Sequence, residues 1–362
     1  MARLLTKQAF IKAGITVLVL FIVNYLVLFF AGYPHAVERY YAKAFYPVVC
    51  YILHPVFNLF PFSVGDVIYI AVIIYLLFIL FRLLKQVFKK QFAAAGILIL
   101  KIIAGIEAGM LVFYLFWGLN YFRPSAAERL HLPDSTYNVT ELEQVAAVLI
   151  DSANATRGRV TAADMRQSND TIYHTARKAV IALANRSAEF KTYQPQIKPS
   201  LLTPLLNYIG TSGYYNPFTG EAQMNYQMPL CNRPFVACHE MAHQMGYGPE
   251  DEANFVGFLA ARSAADRLLR YSAYNLAVSE FLRTVRYTDT IAFKALKKQL
   301  SPQVITDLKA ERAYWLSYQT QLNAISSVFY DHFLKANNQP QGLETYNRMV
   351  LLVMALYKKQ GL

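Results

Sequence analysis

The chain has 362 residues, 55% of them hydrophobic and 16% charged, where an ordinary soluble domain carries about 25% charged residues. Its net charge is +12, but ten basic and only three acidic residues fall within 1–117, beside the most apolar stretches; that placement marks membrane topology rather than a nucleic-acid face, and no nucleic-acid partner is expected. Three cysteines exclude a disulfide framework and a four-cysteine zinc module.

Residues 13–32 carry no charge and are rich in Val, Leu, Ile and Phe. About 20 such residues cross a bilayer core as a helix. No small-residue cleavage site follows, so this is read as a retained span. Residues 44–63 are also uncharged, but Pro47, Pro55 and Pro61 interrupt them, with His54 and Asn58 between. Prolines and polar groups are costly in a lipid-facing helix, so the segment reads as re-entrant or interfacial. A second span is expected at 64–84, with Asp66 and Arg82 near its ends. A third, at about 96–117, contains Lys101 and Glu107. The Glu107 carboxyl is expected to face a neighbouring helix or to stay neutral, a functional intramembrane acid being the alternative, and Trp117, Tyr121 and Phe122 close the span as an aromatic belt.

Arg3, Lys7 and Lys12, together with Arg82, Lys85, Lys89 and Lys90, fall on one side of a three-span arrangement. The basic bias predicts an integral membrane protein with a cytoplasmic N-terminus and everything after Tyr121 outside the cytoplasm. Residues 1–122 then form a membrane domain and 123–362 an extracytoplasmic domain.

In that second region Thr140-x-x-Glu143 reads as a capping box opening a helix to about Arg157. Residues 162–190 are helical with a break. The proline-bearing stretch 191–233 lacks a helical period and is the place for a small sheet. Within it Asn216-Pro217 and Thr219-Gly220 mark turns, leaving 221–226 as a short strand. Helical patterns resume at 234–246, from Pro249 to about Arg270, and over 274–287, 302–335 and 343–359. The expected fold class is mainly α: three transmembrane helices followed by an α-rich domain with a small β-sheet.

One motif carries chemistry: Cys238-His239-Glu240-Met241-Ala242-His243. His239 and His243 are four apart and share one helix face, so both imidazoles can reach one metal ion. Glu240 sits beside the first and can hold a water on that ion. This H-E-x-x-H spacing is that of zinc peptidases, and zinc lowers the pKa of its bound water to about 7. Gly246 and Gly248-Pro249 end the helix. Glu250-Asp251-Glu252-Ala253-Asn254 follows at once. A catalytic zinc site needs a third protein ligand. Glu250 is favoured over Glu252 for it, with Asn254 one turn on as a hydrogen-bond partner for a ligating histidine. The plain alternative is an acidic first turn that complements the helix dipole. Tyr214, Tyr215, Tyr226 and Tyr330 are candidates to stabilise an oxyanion. Cys238 reads as a packed side chain.

Glu250-x-x-Ala253-Asn254 after H-E-x-x-H resembles the gluzincin pattern, in which a Glu on the following helix is the third ligand. The metzincin spacing would need a histidine where Pro249 stands. Trp117–Tyr121, the run Ser212-Gly213-Tyr214-Tyr215-Asn216-Pro217-Phe218-Thr219-Gly220-Glu221-Ala222, and the stretch from Cys238 through Phe255 resemble an uncharacterised bacterial membrane family, the domain of unknown function numbered 3810. That resemblance covers nearly the whole chain and implies a zincin-like, membrane-anchored protein. Zincin-like architecture also implies an edge strand beside the metal, where Ala222 and Gln223 would offer backbone groups to a peptide; the alternative is a structural loop packing against the N-terminus of the active helix. The resulting expectation is a zinc metallopeptidase. His239, His243 and Glu250 hold zinc, Glu240 is the general base, the bilayer is a partner, and peptide or protein segments near the membrane are substrates. The rival expectation is a non-catalytic zinc-binding membrane sensor or a scaffold.

Overall fold

A computed structural model describes residues 2–133, 136–342 and 348–362. The chain is mainly helical with one three-stranded sheet, and it divides into two compact units. One holds the chain up to Val49, then Val64–Arg123 and Pro217–Thr219; the other holds Cys50–Ser63, Pro124–Asn216 and Gly220–Leu362.

The first unit opens with α1 (Ala2–Ala31), α2 (Pro34–Ala36) and a π-helical stretch, Val37–Phe45, that runs into α3 (Tyr46–Phe57). α4 (Val64–Phe88) and α5 (Phe92–Phe116) follow. Among the described residues, three helices are long and apolar enough to cross a membrane: Lys7–Ala31, α4 and α5, of 25 residues each. At 1.5 Å per residue each is about 37 Å long, more than a hydrocarbon core of about 30 Å requires. The second and third spans exceed the expected 64–84 and 96–117, and only a short turn separates them. Their side chains stand exposed (Leu77 62%, Phe81 65%), which is unfavourable in water and favourable in lipid. α1 lies along α5. Asn24 joins the two, its Nδ2 donating to Glu107 Oε2 at 2.7 Å and to Glu107 O at 2.9 Å. The one acid inside α5 therefore faces a neighbouring helix.

The second unit begins, after Cys50–Ser63, with α6 (Ala126–Arg129), α7 (Val139–Arg157) and α8 (Asn169–Ala184). β1 (Ile197–Pro199), α9 (Thr203–Ile209), β2 (Gly213–Asn216) and β3 (Glu221–Met224) make the middle. α10 (Arg233–Gln244), α11 (Glu250–Arg262), α12 (Arg267–Thr288), α13 (Thr290–Lys298), α14 (Pro302–Ser317), α15 (Gln321–Ala336) and α16 (Met349–Gln360) complete it. Several expected boundaries move because a side chain caps elsewhere. Asn138, not Thr140, starts α7: it accepts from Glu141 N at 2.9 Å while Glu141 Oε2 accepts from Asn138 N at 3.0 Å. The helix expected to reach Arg270 stops at Arg262, and Asp266 caps α12 by accepting from Leu269 N. The run 302–335 divides into α14 and α15. The expected start of the last helix, Leu343, lies outside the described residues. Leu149, Ile150, Phe255, Phe258 and Phe281 are buried within the main apolar core of this unit, each contributing about 1.5–3 kcal/mol over exposure.

The sheet order is β1-β3-β2, with β1 parallel and β2 antiparallel to β3. Side chains alternate across a strand. Ala222 and Met224 are buried in the core with α10 residues Phe235 and Met241. Lys198, Glu221 and Gln223 take the opposite face, and there residues from 50–63 cover them. Lys198 Nζ donates to Glu221 Oε1 at 2.6 Å, to Phe57 O at 2.7 Å and to Phe62 O at 3.1 Å, which satisfies all three ammonium protons. Gln223 pairs with Ser63 at 2.9 Å, Asn58 Nδ2 donates to Gln194 O at 3.1 Å, and His54 Nδ1 donates to Tyr193 O. The polar residues that argued against a lipid-facing helix at 44–63 thus act in part as ties to this sheet.

Candidate metal centre

α10 is buried from Pro234 to Gln244 although it carries two histidines, a glutamate and a glutamine. Buried polar groups need partners, and here α11 and the sheet supply them. Gln244 Nε2 donates to Gly220 O at 2.9 Å and to Gln196 O at 3.1 Å, pinning the helix end to the sheet. Gly246, at φ 83, lets the chain reverse. His243 Nδ1 then donates to Tyr247 O at 2.7 Å, which leaves Nε2 to face the site. Gly257 of α11 lies against α10: a Cβ there would be 3.1 Å from His239 Cα and N. Its missing side chain is what lets the two helices approach.

That approach brings Glu250 to both histidines. Its Oε2 is 3.2 Å from His239 Nε2 and 3.7 Å from His243 Nε2. Ligands about 2.0–2.1 Å from a tetrahedral zinc lie about 3.3 Å from one another, so two imidazole nitrogens and one carboxylate oxygen are spaced as such an ion requires. The donor set of two His and one carboxylate fits zinc. One ligand atom from each of His239, Glu240 and His243 also falls within 4.8 Å of the others, the one such cluster among the described residues. Glu250, by contrast, meets both imidazoles with a single oxygen. Glu240 is 2% exposed and its Oε2 is buried without a hydrogen-bond partner.

Electrostatics separate the two acids. Burial pushes the Glu240 carboxyl up to about 7, although both histidines pull it down. Burial would raise Glu250 as well, but the charge of His243 and hydrogen bonds with both imidazoles outweigh it and hold the carboxyl well below its usual range. Burial works against a charged His243; the Glu250 carboxylate outweighs that and raises it to about 8. The site therefore pairs an anionic Glu250 with its histidines and keeps a second carboxyl poised near neutrality beside them.

Glu252 is engaged elsewhere. Its Oε2 accepts from Arg129 Nη2 at 2.6 Å and its Oε1 accepts from Ala126 N at 2.6 Å. The Arg129 guanidinium also stacks 4.4 Å over the Tyr247 ring, so this pair braces the turn that feeds α11. Asn254 is buried, but it bonds neither imidazole: Tyr247 O takes His243 Nδ1, and His239 Nδ1 is buried without a partner. The role expected of Asn254 is not what this geometry shows.

The role expected of Ala222 and Gln223 is corrected too. β3 is the central strand, flanked by β1 and β2, and both residues are fully buried. A peptide cannot add to a strand whose two edges are already paired. The edge strand beside α10 is β2. Gly213, its first residue, has no side chain where a Cβ would lie 2.6 Å from Glu240 Oε1 and 2.7 Å from Gln223 O.

Of the four tyrosines, Tyr330 reaches the site: its hydroxyl donates to Glu250 Oε1 at 2.6 Å. It orients the acid rather than an oxyanion. Tyr215 on β2 has its ring 6.5 Å from that of His243. Tyr214 pairs across the sheet with Gln223, and Tyr226 packs against the core. Sequence reasoning missed Arg129, Gly213 and Gly257 as supports. Gly213 lies within the run from Ser212 to Ala222; Arg129, 123 residues before Glu252, leaves no local signal.

The chain belongs to the family described as protein of unknown function (DUF3810), which matches residues 41–354. No curated protein and no solved structure matches it.

Proposed function

We propose that this member of the family is a membrane-anchored zinc metallopeptidase of zincin type, acting on peptides or protein segments close to the bilayer. The observation that carries the reading is the convergence of His239 Nε2 and His243 Nε2 on Glu250 Oε2 beside the buried Glu240 carboxyl. His239, His243 and Glu250 hold the metal, with Tyr330 fixing the Glu250 carboxylate. Bound zinc supplies a Lewis acid that polarises a carbonyl and acidifies water to a pKa of about 7. Glu240 takes the proton of the attacking water and delivers it to the leaving amine as the C–N bond breaks. A positioned carboxylate of this kind contributes about 10²–10⁴-fold to such a transfer. Gly213 leaves the room in which the Glu240 carboxylate turns between water and amine. The basic bias of the N-terminus and of the α4–α5 turn supports a reading in which this domain lies outside the cytoplasm. A non-catalytic zinc site would have no use for an unpartnered buried Glu240.

Metal content of the detergent-purified full chain tests the first half of the reading. Wild type and Glu240→Gln should each carry about one zinc per chain and His243→Ala little, three ligands being the minimum for a catalytic site. Digestion of a peptide library tests the second half. Glu240→Gln should lose at least about 100-fold in turnover, the lower end of general-base contributions. Undiminished cleavage by Glu240→Gln would sink the assignment, and metal-free, folded wild type after zinc supply would move it to the scaffold reading.

A further inference from the structure

The second unit carries a groove unrelated to the metal centre. It lies between α12, α13 and α14, has a volume of about 650 Å³, and is lined by Arg283, Arg286, Lys297 and Arg312 around Phe293 and Trp315. The Arg286 guanidinium and the Lys297 ammonium sit 5.9 and 5.8 Å from the centre of the Phe293 ring. Two carboxylates offset part of this charge. Glu280 pairs with Arg283, and Glu311, the one acid in the lining, is pushed up by burial. A cationic surplus over an aromatic floor remains.

An exposed apolar stripe leads to the mouth of this groove. It starts at the loop tied to Lys198, where Leu59 is 81% exposed. Leu201 follows β1 within three residues of Lys198. Leu205 and Tyr208 continue at helical spacing along α9, all three exposed. α9 ends at Gly210, which lines the groove together with Asn323 of α15. On α15 itself Leu322, Ile325, Val328 and Phe329 are exposed, Phe329 by 73%. Single exposed apolar residues are ordinary, whereas several of them on two helices packed together beside a basic groove mark an interaction surface.

We infer that this face of the second unit docks on an anionic phospholipid leaflet, with a lipid phosphate in the basic groove and the α9–α15 stripe among the upper acyl chains. Chain connectivity favours lipid over other occupants. Ser63 belongs to this unit, and Val64 begins a 25-residue apolar helix long enough to cross a membrane, so Leu59 lies five residues along the chain from that helix. Charge complementarity supplies the second argument. Each basic side chain near an anionic surface is worth about 1 kcal/mol, or about fivefold in affinity. Interfacial anchoring joins such charges to apolar residues buried about 5–10 Å below the headgroups.

The chain's two tryptophans make this measurable, since Trp315 lines the groove and Trp117 lies in the first unit. Full-length Trp117→Phe protein is placed, one copy per disc, in lipid nanodiscs with bromine on the acyl chains. Trp315 emission should be quenched in phosphatidylglycerol discs and hardly at all in phosphatidylcholine discs. Arg286→Gln with Lys297→Gln should raise the phosphatidylglycerol fraction needed for half-maximal quenching several-fold, at about fivefold in affinity per residue. If Trp117→Phe misfolds, the difference between wild type and Trp315→Phe gives the same readout. Glu240→Gln should leave the quenching unchanged, which keeps the test separate from peptidase activity. No quenching in either lipid overturns the docking surface, and equal quenching in both overturns the phosphate site.

Discussion

Glu250 and Glu252 lie two residues apart in one acidic turn, and local sequence gives them similar claims to a metal. What separates them is reach. Glu250 points back to the histidines, whereas Glu252 is taken by Arg129 and Ala126 N. The H-E-x-x-H pair was legible because helical periodicity alone puts its two histidines on one face. The partner of Glu252 was not, since a contact across 123 residues leaves no trace in spacing. Tyr330 shows the same limit. It is one of 26 tyrosines, and only the fold selects it by bringing its hydroxyl to Glu250 Oε1. Removing a partner that orients a metal ligand typically costs 10–100-fold in affinity. Tyr330→Phe should therefore weaken zinc binding at least about tenfold by competition with a calibrated chelator, while stoichiometry at saturating zinc stays at that of wild type. Unchanged affinity would show that Tyr330 does not position Glu250.

At the scale of elements, the α10–α11 pair is held by one absent side chain. Gly257→Ala improves intrinsic helix propensity by about 1 kcal/mol. It also sets a methyl 3.1 Å from His239 Cα and N, and backbone atoms inside a helix cannot rotate away. Overpacking of this kind costs about 1–3 kcal/mol, so the expected net is a loss. The two helices part by a few tenths of an ångström. Gly257→Ala should lower the unfolding midpoint of the metal-free protein and weaken zinc binding together; a raised midpoint with intact affinity would mean the close approach is not needed. Helix types and most helix positions were readable from apolar period and caps. The sheet was less so. β3 emerged as a strand, but its central place did not, because its parallel partner β1 is a three-residue strand ending in Pro199 with no alternating pattern to announce it.

Across the whole chain, the three apolar helices follow from composition and length. The role of 50–63 does not. His54, Asn58 and Ser63 are polar interruptions in an apolar stretch, and their partners Tyr193, Gln194 and Gln223 lie well over a hundred residues away. His54 makes this tie sensitive to acid. Burial lowers its pKa, the hydrogen bond to Tyr193 only partly opposing, and its Nε2 is buried without a partner. The folded state therefore prefers the neutral ring. Its contribution is complete above the unfolded value of about 6.5 and is lost as pH falls from there towards the lowered folded value. Between pH 7.5 and 5.5 the wild-type unfolding midpoint should drop more than that of His54→Gln. Equal drops would clear His54 of responsibility.

The tie through Lys198 has a practical side. The sequence invites a cut near residue 123, after the last span. A fragment starting at Pro124 keeps Glu221 but loses the carbonyls of Phe57 and Phe62, so two of the three protons on a buried ammonium lose their acceptors. It also strips the cover from one face of a sheet of three short strands. The globular part is thus completed by a piece of chain made well before it. Its floor is laid first, and scissors at the visible boundary would separate the building from its foundation.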